Sequence, residues 1–176
     1  LSSDSEEGII KSTGIAMIGF ADALKRLSPD AVIILGDRFE SFAAAISAYF
    51  FKIPIFHLHG GETTEGATDE GLRHAITKLS YLHFTATDAY RKRVIQLGED
   101  PSRVFNVGAI GLDNIHNLKL LSKKELEKQL GVTFRSPTIL VTYHPVTLER
   151  KSAENQFQDL LNVLERWKDL NIIFTY

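Results

Sequence analysis

The 176-residue chain contains no cysteine and only one methionine and one tryptophan. Without thiols there is no disulfide framework, and metal binding by thiolate is excluded. No apolar run approaches the roughly 20 residues that a helical membrane span needs, and no signal-peptide pattern opens the chain. A cytoplasmic protein without a membrane partner is the expectation. Lys and Arg total 20 against 22 Asp and Glu, and the basic residues are dispersed, so a nucleic-acid footprint is not expected. No G-x-G-x-x-G follows a strand, no P-loop lysine occurs and no G-x-S-x-G elbow is present. Nicotinamide cofactors, ATP hydrolysis and serine-hydrolase chemistry are disfavoured accordingly. Repeats and low-complexity tracts are also missing.

What is there is globular in kind, 44% hydrophobic and 24% charged. Residues 10–27 repeat at helical spacing, with Ile10, Gly14, Met17, Ala21, Leu24 and Leu27 on one stripe, and Ser28-Pro29 breaks the helix. A continuous apolar run over 31–36 predicts a strand buried on both faces. An alanine-rich helix over 39–50 should pack deeply, and a short strand follows over 53–58. Beyond a polar loop come a helix over 69–79, a strand over 81–86, a helix capped by Asp88 and a strand over 104–108. This alternation predicts an α/β fold with parallel Rossmann-like sheets, helices on both sides and right-handed crossovers.

From Asn114 the composition turns rich in Leu, Lys and Glu. Ser122 with Glu125 forms a capping box, Gly131 stops that helix, and the strand pattern returns over 138–144. A helix over 153–167 and a strand over 172–176 follow. The predicted organisation is residues 1–112 in one Rossmann-like domain, a linker over 113–122, and the beginning of a second such domain over 123–176. A start at Leu1 and an end on an apolar strand read as a central piece of a longer chain.

The stretch from His57 to His74, HLHGGETTEGATDEGLRH, concentrates the chemistry. It gathers His57, His59, Glu62, Glu65, Asp69, Glu70, Arg73 and His74 around four glycines, between an apolar strand and a helix. In open α/β sheets ligands bind beyond the carboxyl ends of the strands, where this loop sits. His57 and His59, two apart on a strand, would share a face and with Glu62 could hold a metal, but no third ligand stands at a recognisable spacing. His57 reads equally as a satisfied core histidine. Asp69 and Arg73 could form an i,i+4 surface pair. Asp37 follows the first buried strand, where it could simply cap a helix, and Arg38 beside it has the planar fork that suits phosphate. His144 ends the first strand of the second domain and is expected at the crevice between domains.

GDRFE (36–40), HLHGGETTEGATDEGLRHAITKLSYLHF (57–84) and VTYHPVT (141–147) resemble the UDP-N-acetylglucosamine 2-epimerases, in particular the hydrolysing branch of sialic-acid-type biosynthesis. The resemblance covers essentially the whole chain. It implies a GT-B-like two-domain architecture with a UDP-sugar in the cleft, no cofactor, no metal and a homo-oligomeric enzyme. It also implies conversion of UDP-N-acetylglucosamine and water to N-acetylmannosamine and UDP. Relatives acting on a UDP-linked 2,4-diacetamido-trideoxy sugar share the motif style, and non-hydrolysing epimerases share the fold. Carried over by position, Asp37, Glu62 and Asp69 are the catalytic acid/base set, and Arg38, Arg73 and His144 bind the UDP-sugar. His59 stands where several family members place a catalytic glutamate, so either His59 or Glu62 takes that role. Family members are longer, and their uracil and phosphate contacts lie largely outside these residues. An isolated 1–176 polypeptide is therefore expected to be inactive. A GT-B glycosyltransferase, a metal-dependent hydrolase and a non-catalytic regulatory module are the rival classes.

Overall fold

The computed structural model describes residues 5–65, 67–144 and 153–175. Two compact units emerge, Leu1–His116 and Asn117–Tyr176. In the first, α1 (Glu6–Leu27) leads to β1 (Val32–Leu35), α2 (Phe39–Phe50), β2 (Ile55–Leu58), α3 (Asp69–Leu79), β3 (Leu82–Thr85), α4 (Asp88–Gln96) and β4 (Val104–Asn106). The strands form one sheet in the order β1-β2-β3-β4, with every neighbouring pair parallel. Helix α5 (Gly111–Asn117) occupies part of the expected linker and runs across the division between the units.

The second unit holds α6 (Lys123–Leu130), β5 (Thr138–Val141), α7 (Ala153–Leu164) and β6 (Asn171–Phe174). Its two strands are parallel too, paired from Thr138↔Asn171 to Val141↔Phe174. Helix α6 is framed as its sequence demands. Ser122 and Glu125 make the reciprocal capping box, and Gly131 closes the far end at φ 67. Phe157 of α7 packs 6.0 Å from Phe174 and 5.2 Å from Tyr143. Two parallel α/β units in series are the construction of a GT-B-like fold. Among the described residues no helix is long and apolar enough to cross a membrane.

Helices on both sides of the first sheet were expected, and the structure corrects this. Ile34, Ile55, His57, His83, Thr85 and Val104 all point to one face and are buried there. The opposite face carries Ile33, 69% exposed, and Leu35, 54% exposed, with Phe84 stacked 5.7 Å from Phe105. The cause is topological. Right-handed crossovers that always step in the same direction lay every connecting helix on the same side. A second helical layer needs a strand order that reverses, which these four strands do not contain. Strand β1 is therefore not buried on both faces.

Two local readings also change. Of the predicted α1 stripe, Met17 and Leu24 lie on the packed side, whereas Ile10 and Leu27 are exposed. The side turned inward follows Gly8, Ser12, Ala16, Phe20 and Leu24, because α1 packs on the small-residue surface of α2, where Ala45 and Ala48 are fully buried. The cap of α4 is Thr87, whose hydroxyl accepts from Tyr90 N at 3.2 Å; Asp88 instead accepts from Asn106 Nδ2 at 3.0 Å.

His57 is wholly buried in this core. Its Nε2 lies 2.9 Å from Gly36 O and its Nδ1 3.2 Å from Thr77 Oγ1. A carbonyl can only accept, so Nε2 carries the hydrogen, while the Thr77 hydroxyl beside Nδ1 shares its single hydrogen between that nitrogen and Arg73 O, 3.0 Å away. Burial pushes its pKa down to about 4, against the pull of the Gly36 carbonyl, so the ring is neutral. The unfolded chain, with an ordinary value of 6.5, takes up the proton first as pH falls. His57 thus adds stability that is complete above pH 6.5 and lost on acidification towards pH 4, amounting to about 3 kcal/mol at 1.36 kcal/mol per pKa unit. Urea titrations at pH 7.5, 6 and 4.5 should show this decline, and His57→Gln, less stable at neutral pH, should show a visibly shallower one.

Candidate functional site

Strands β1 and β2 end side by side, with Leu35 level with Leu58 and Gly36 N donating to Leu58 O at 3.2 Å. Asp37 leaves the first strand and the His59–Glu62 loop leaves the second. From α3, Arg73 reaches back to both segments. Its Nη2 donates to the Asp37 carboxylate and to Thr64 Oγ1, the latter at 3.2 Å. The Arg73 side chain is 8% exposed and Asp37 18%. A guanidinium buried this far needs a counter-charge buried with it.

This pair overturns two expectations. Arg73 does not form the i,i+4 pair with Asp69, because α3 turns that side chain into the fold and not along its own surface. Nor does Asp37 cap α2: the N-cap position is Arg38, which makes no side-chain capping bond. The remaining Arg73 nitrogens, Nε and Nη1, are buried without a hydrogen-bond partner among the described residues. Orphaned donors of this kind are rare in a finished core and common where a ligand belongs.

The loop after β2 is shaped by its backbone. His59 adopts φ 64, a left-handed conformation that disfavours residues bearing a Cβ. The expected two-histidine face therefore does not form, since His59 lies past the strand and both ring nitrogens of His57 are engaged in the core. His59 Nδ1 instead sits 2.6 Å from Glu62 Oε1. With Glu62 ionised, Nδ1 carries the hydrogen and Nε2 presents its lone pair. That Nε2 is buried and has no partner among the described residues. A carboxylate-oriented imidazole with one free nitrogen is a device for moving a proton.

Two glycines let this loop settle. A Cβ on Gly60 would meet His57 Nδ1 at 3.0 Å and Thr77 Oγ1 at 3.1 Å. One on Gly61, at φ 78, would meet Tyr90 O at 2.4 Å and Val94 Cγ2 at 2.8 Å. The segment beyond is tied down by Glu70, which accepts from Thr64 N at 3.1 Å and lies 3.7 Å from His74 Nε2.

The structure thus brings Asp37 together with Arg73, and His59 with Glu62. Asp69 stands half-buried in the first turn of α3 and joins neither pair. Arg38 is exposed and engages Glu40 at 3.2 and 3.3 Å. His144 belongs to the second unit and is exposed; the 145–147 part of its motif lies outside the described residues. Thr64, which binds Arg73, and Arg93, which binds the loop backbone, were not singled out in the sequence, because a neutral hydroxyl in a polar loop gives no signal of its own and nothing in the spacing of Arg93 relates it to the loop. Among the described residues no group of three or more His, Asp or Glu is arranged to hold a metal.

Comparison with known proteins gives this site a context. The chain matches the family described as UDP-N-acetylglucosamine 2-epimerase over residues 1–176. It is 42% identical to the GDP/UDP-N,N'-diacetylbacillosamine 2-epimerase (hydrolyzing) of Campylobacter jejuni, over 99% of this chain and 46% of that protein. Identity is 41% with polysialic acid biosynthesis protein P7 of Escherichia coli, over 96% of this chain and 43% of that one. It is 40% with the UDP-N,N'-diacetylbacillosamine 2-epimerase (hydrolyzing) of Legionella pneumophila, over 92% and 42%. Among solved structures, the UDP-GlcNAc 2-epimerase of Neisseria meningitidis bound to UDP-GlcNAc superposes with a TM-score of 0.82 at 22% identity, covering 99% of this chain and 49% of that one. The chain spans a little under half the length of these curated relatives.

Removing Asp37 strands the buried Arg73 charge. Asp37→Ala should lower unfolding free energy by about 3 kcal/mol, and adding Arg73→Met should recover part of the loss in a double-mutant cycle. Gly61→Ala combines a positive φ with the Tyr90 carbonyl clash and should cost at least about 2 kcal/mol. Urea denaturation measures both.

Proposed function

We propose that this chain, which belongs to the UDP-N-acetylglucosamine 2-epimerase family, carries the acid/base centre of a hydrolysing 2-epimerase acting on a UDP-linked 2,4-diacetamido-trideoxy sugar. The chemical half of this reading is carried by the His59–Glu62 pair standing at the strand end next to Asp37–Arg73. The substrate half rests on the 42% and 40% identities to proteins named as hydrolyzing diacetylbacillosamine 2-epimerases. UDP-N-acetylglucosamine, the substrate to which the motifs first pointed, becomes the second reading. The 41% identity to a polysialic acid biosynthesis protein favours it, since N-acetylmannosamine is the product that the resemblance implied for such a route.

The reaction constrains the roles. The hydrogen on C2 of the sugar is not adjacent to a carbonyl, so it becomes acidic only as the C1–O bond breaks and positive charge develops. The bonding pair leaves with UDP, whose growing phosphate charge Arg38 and Arg73 stabilise. Asp37, paired with Arg73, faces the charge at C1. The His59–Glu62 pair removes the C2 proton and leaves a C1=C2 glycal. Water then adds its oxygen to C1, giving up a proton to Asp37, while Asp69 returns a proton to C2 from the opposite face. The products are free 2-epimerised sugar and UDP.

The full-length enzyme should be assayed in deuterated water with UDP-N,N'-diacetylbacillosamine and, separately, UDP-N-acetylglucosamine. Free sugar bearing deuterium at C2 is expected, with kcat/KM at least ~10-fold higher for the diacetamido substrate. Glu62→Gln should lower kcat on the order of 100-fold or more. An unlabelled C2 would point to a glycosyltransferase, and a UDP-linked product to a non-hydrolysing epimerase.

A further inference from the structure

Helix α4 contributes no acid/base group, yet three of its residues bear on the loop that does. Arg93 Nη1 donates to the carbonyl of Gly61, and that carbonyl belongs to the peptide joining Gly61 to Glu62. Tyr90 and Val94 supply the wall that a Cβ on Gly61 would strike, at 2.4 and 2.8 Å. The guanidinium of Arg93 also lies 5.7 Å above the Tyr90 ring, so its fork is steadied from a second side. Beneath the loop, Gly60 rests on His57 and Thr77.

Such a seat answers a specific need. His59 holds φ 64, a conformation that costs on the order of 1–3 kcal/mol for a residue other than glycine and persists only when its surroundings over-determine it. Glycines at 60 and 61 cannot supply that restraint themselves, because their own backbones are the freest in the chain. The backbone bond from His59 N to Phe84 O, 2.9 Å, pins the start of the loop. Arg93 pins its other end, immediately before Glu62, with a hydrogen bond strengthened by full charge on the donor.

We propose that Arg93 is a positioning residue: it fixes the Gly61–Glu62 peptide so that the Glu62 carboxylate stays within hydrogen-bond reach of His59 Nδ1. Arg93 touches the reaction only through that peptide. The proposal rests on the assignment of His59 and Glu62 as the proton-moving pair. Loss of the clamp lets the two side chains part by about 1 Å, leaving His59 without its orienting carboxylate and Glu62 without a defined aim.

The test uses Arg93→Met and Arg93→Lys in the full-length enzyme. Arg93→Met should lower kcat on the order of 100-fold, the scale that misplacement by about 1 Å carries, while KM changes by less than about threefold. The pH profile of kcat should change shape, because the proton-moving pair no longer holds a fixed geometry. Arg93→Lys, which retains a charged donor, should recover at least about tenfold of the lost rate. Amide hydrogen exchange of residues 60–64 should quicken in Arg93→Met while that of β2 and β3 is unchanged. Equal loop exchange in wild type and Arg93→Met overturns the positioning role whatever the turnover. So does a kcat loss that leaves the pH profile untouched and is not relieved by lysine. A wild-type enzyme that releases no UDP from either sugar would remove the functional reading, and the exchange comparison would still decide whether Arg93 seats the loop.

Discussion

One buried cation organises the first unit. Arg73 sits inside the fold with a side chain that cannot shed its charge, so something buried must answer it. Asp37, 36 residues earlier, does so. Because Asp37 hangs from the end of β1, Arg73 from α3 and Thr64 from the loop between β2 and α3, a single guanidinium ties together the segments that border the site. Its other two nitrogens are buried without a partner among the described residues. A group serving stability alone would be expected to be saturated.

The rest of the arrangement follows from strand order and backbone freedom. Parallel strands stepping in one direction gather their helices on one face and their carboxyl-end loops along one rim. His57 is the keystone beneath that rim. Neutral, buried and bonded to Gly36 O and Thr77, it links β1, β2 and α3 while making way for Gly60 above it. His59, two residues on, has the opposite character: strained backbone, carboxylate partner, open nitrogen. The contrast between two histidines in one tripeptide lies in where the strand stops. Leu58 is the last residue obeying strand alternation, and the left-handed turn at His59 frees the next side chain from the core.

Much of this was legible in the residues. The alternation of apolar runs with amphipathic stretches announced a parallel α/β fold, since a run buried in a parallel sheet has no other periodicity to show. Ser122 with Glu125 and Gly131 announced α6 at both ends. The density of ionisable groups between His57 and His74 singled out the candidate site, and the resemblance of its motifs pointed to the family. The failures were of another kind. Stripe positions on α1 were off because a helix can turn several apolar sides inward and only its neighbour selects one. The second helical layer was wrong because composition cannot reveal the spatial order of strands. Asp69–Arg73 was a sound local pair that lost to a distant partner, and Arg93 was invisible because its partner is a backbone carbonyl.

By itself, then, the sequence determined what depends on near neighbours: where helices begin and end, which runs become strands, which loop gathers the ionisable groups, and the glycines that loop requires. Tertiary structure alone decided who meets whom. It chose Asp37 over Asp69 for Arg73, sent His57 to the core and His59 to Glu62, and set α4 against Gly61. Those choices turn on burial and on contacts across tens of residues, where the free energy of satisfying a buried charge or carbonyl outweighs any preference written into adjacent positions.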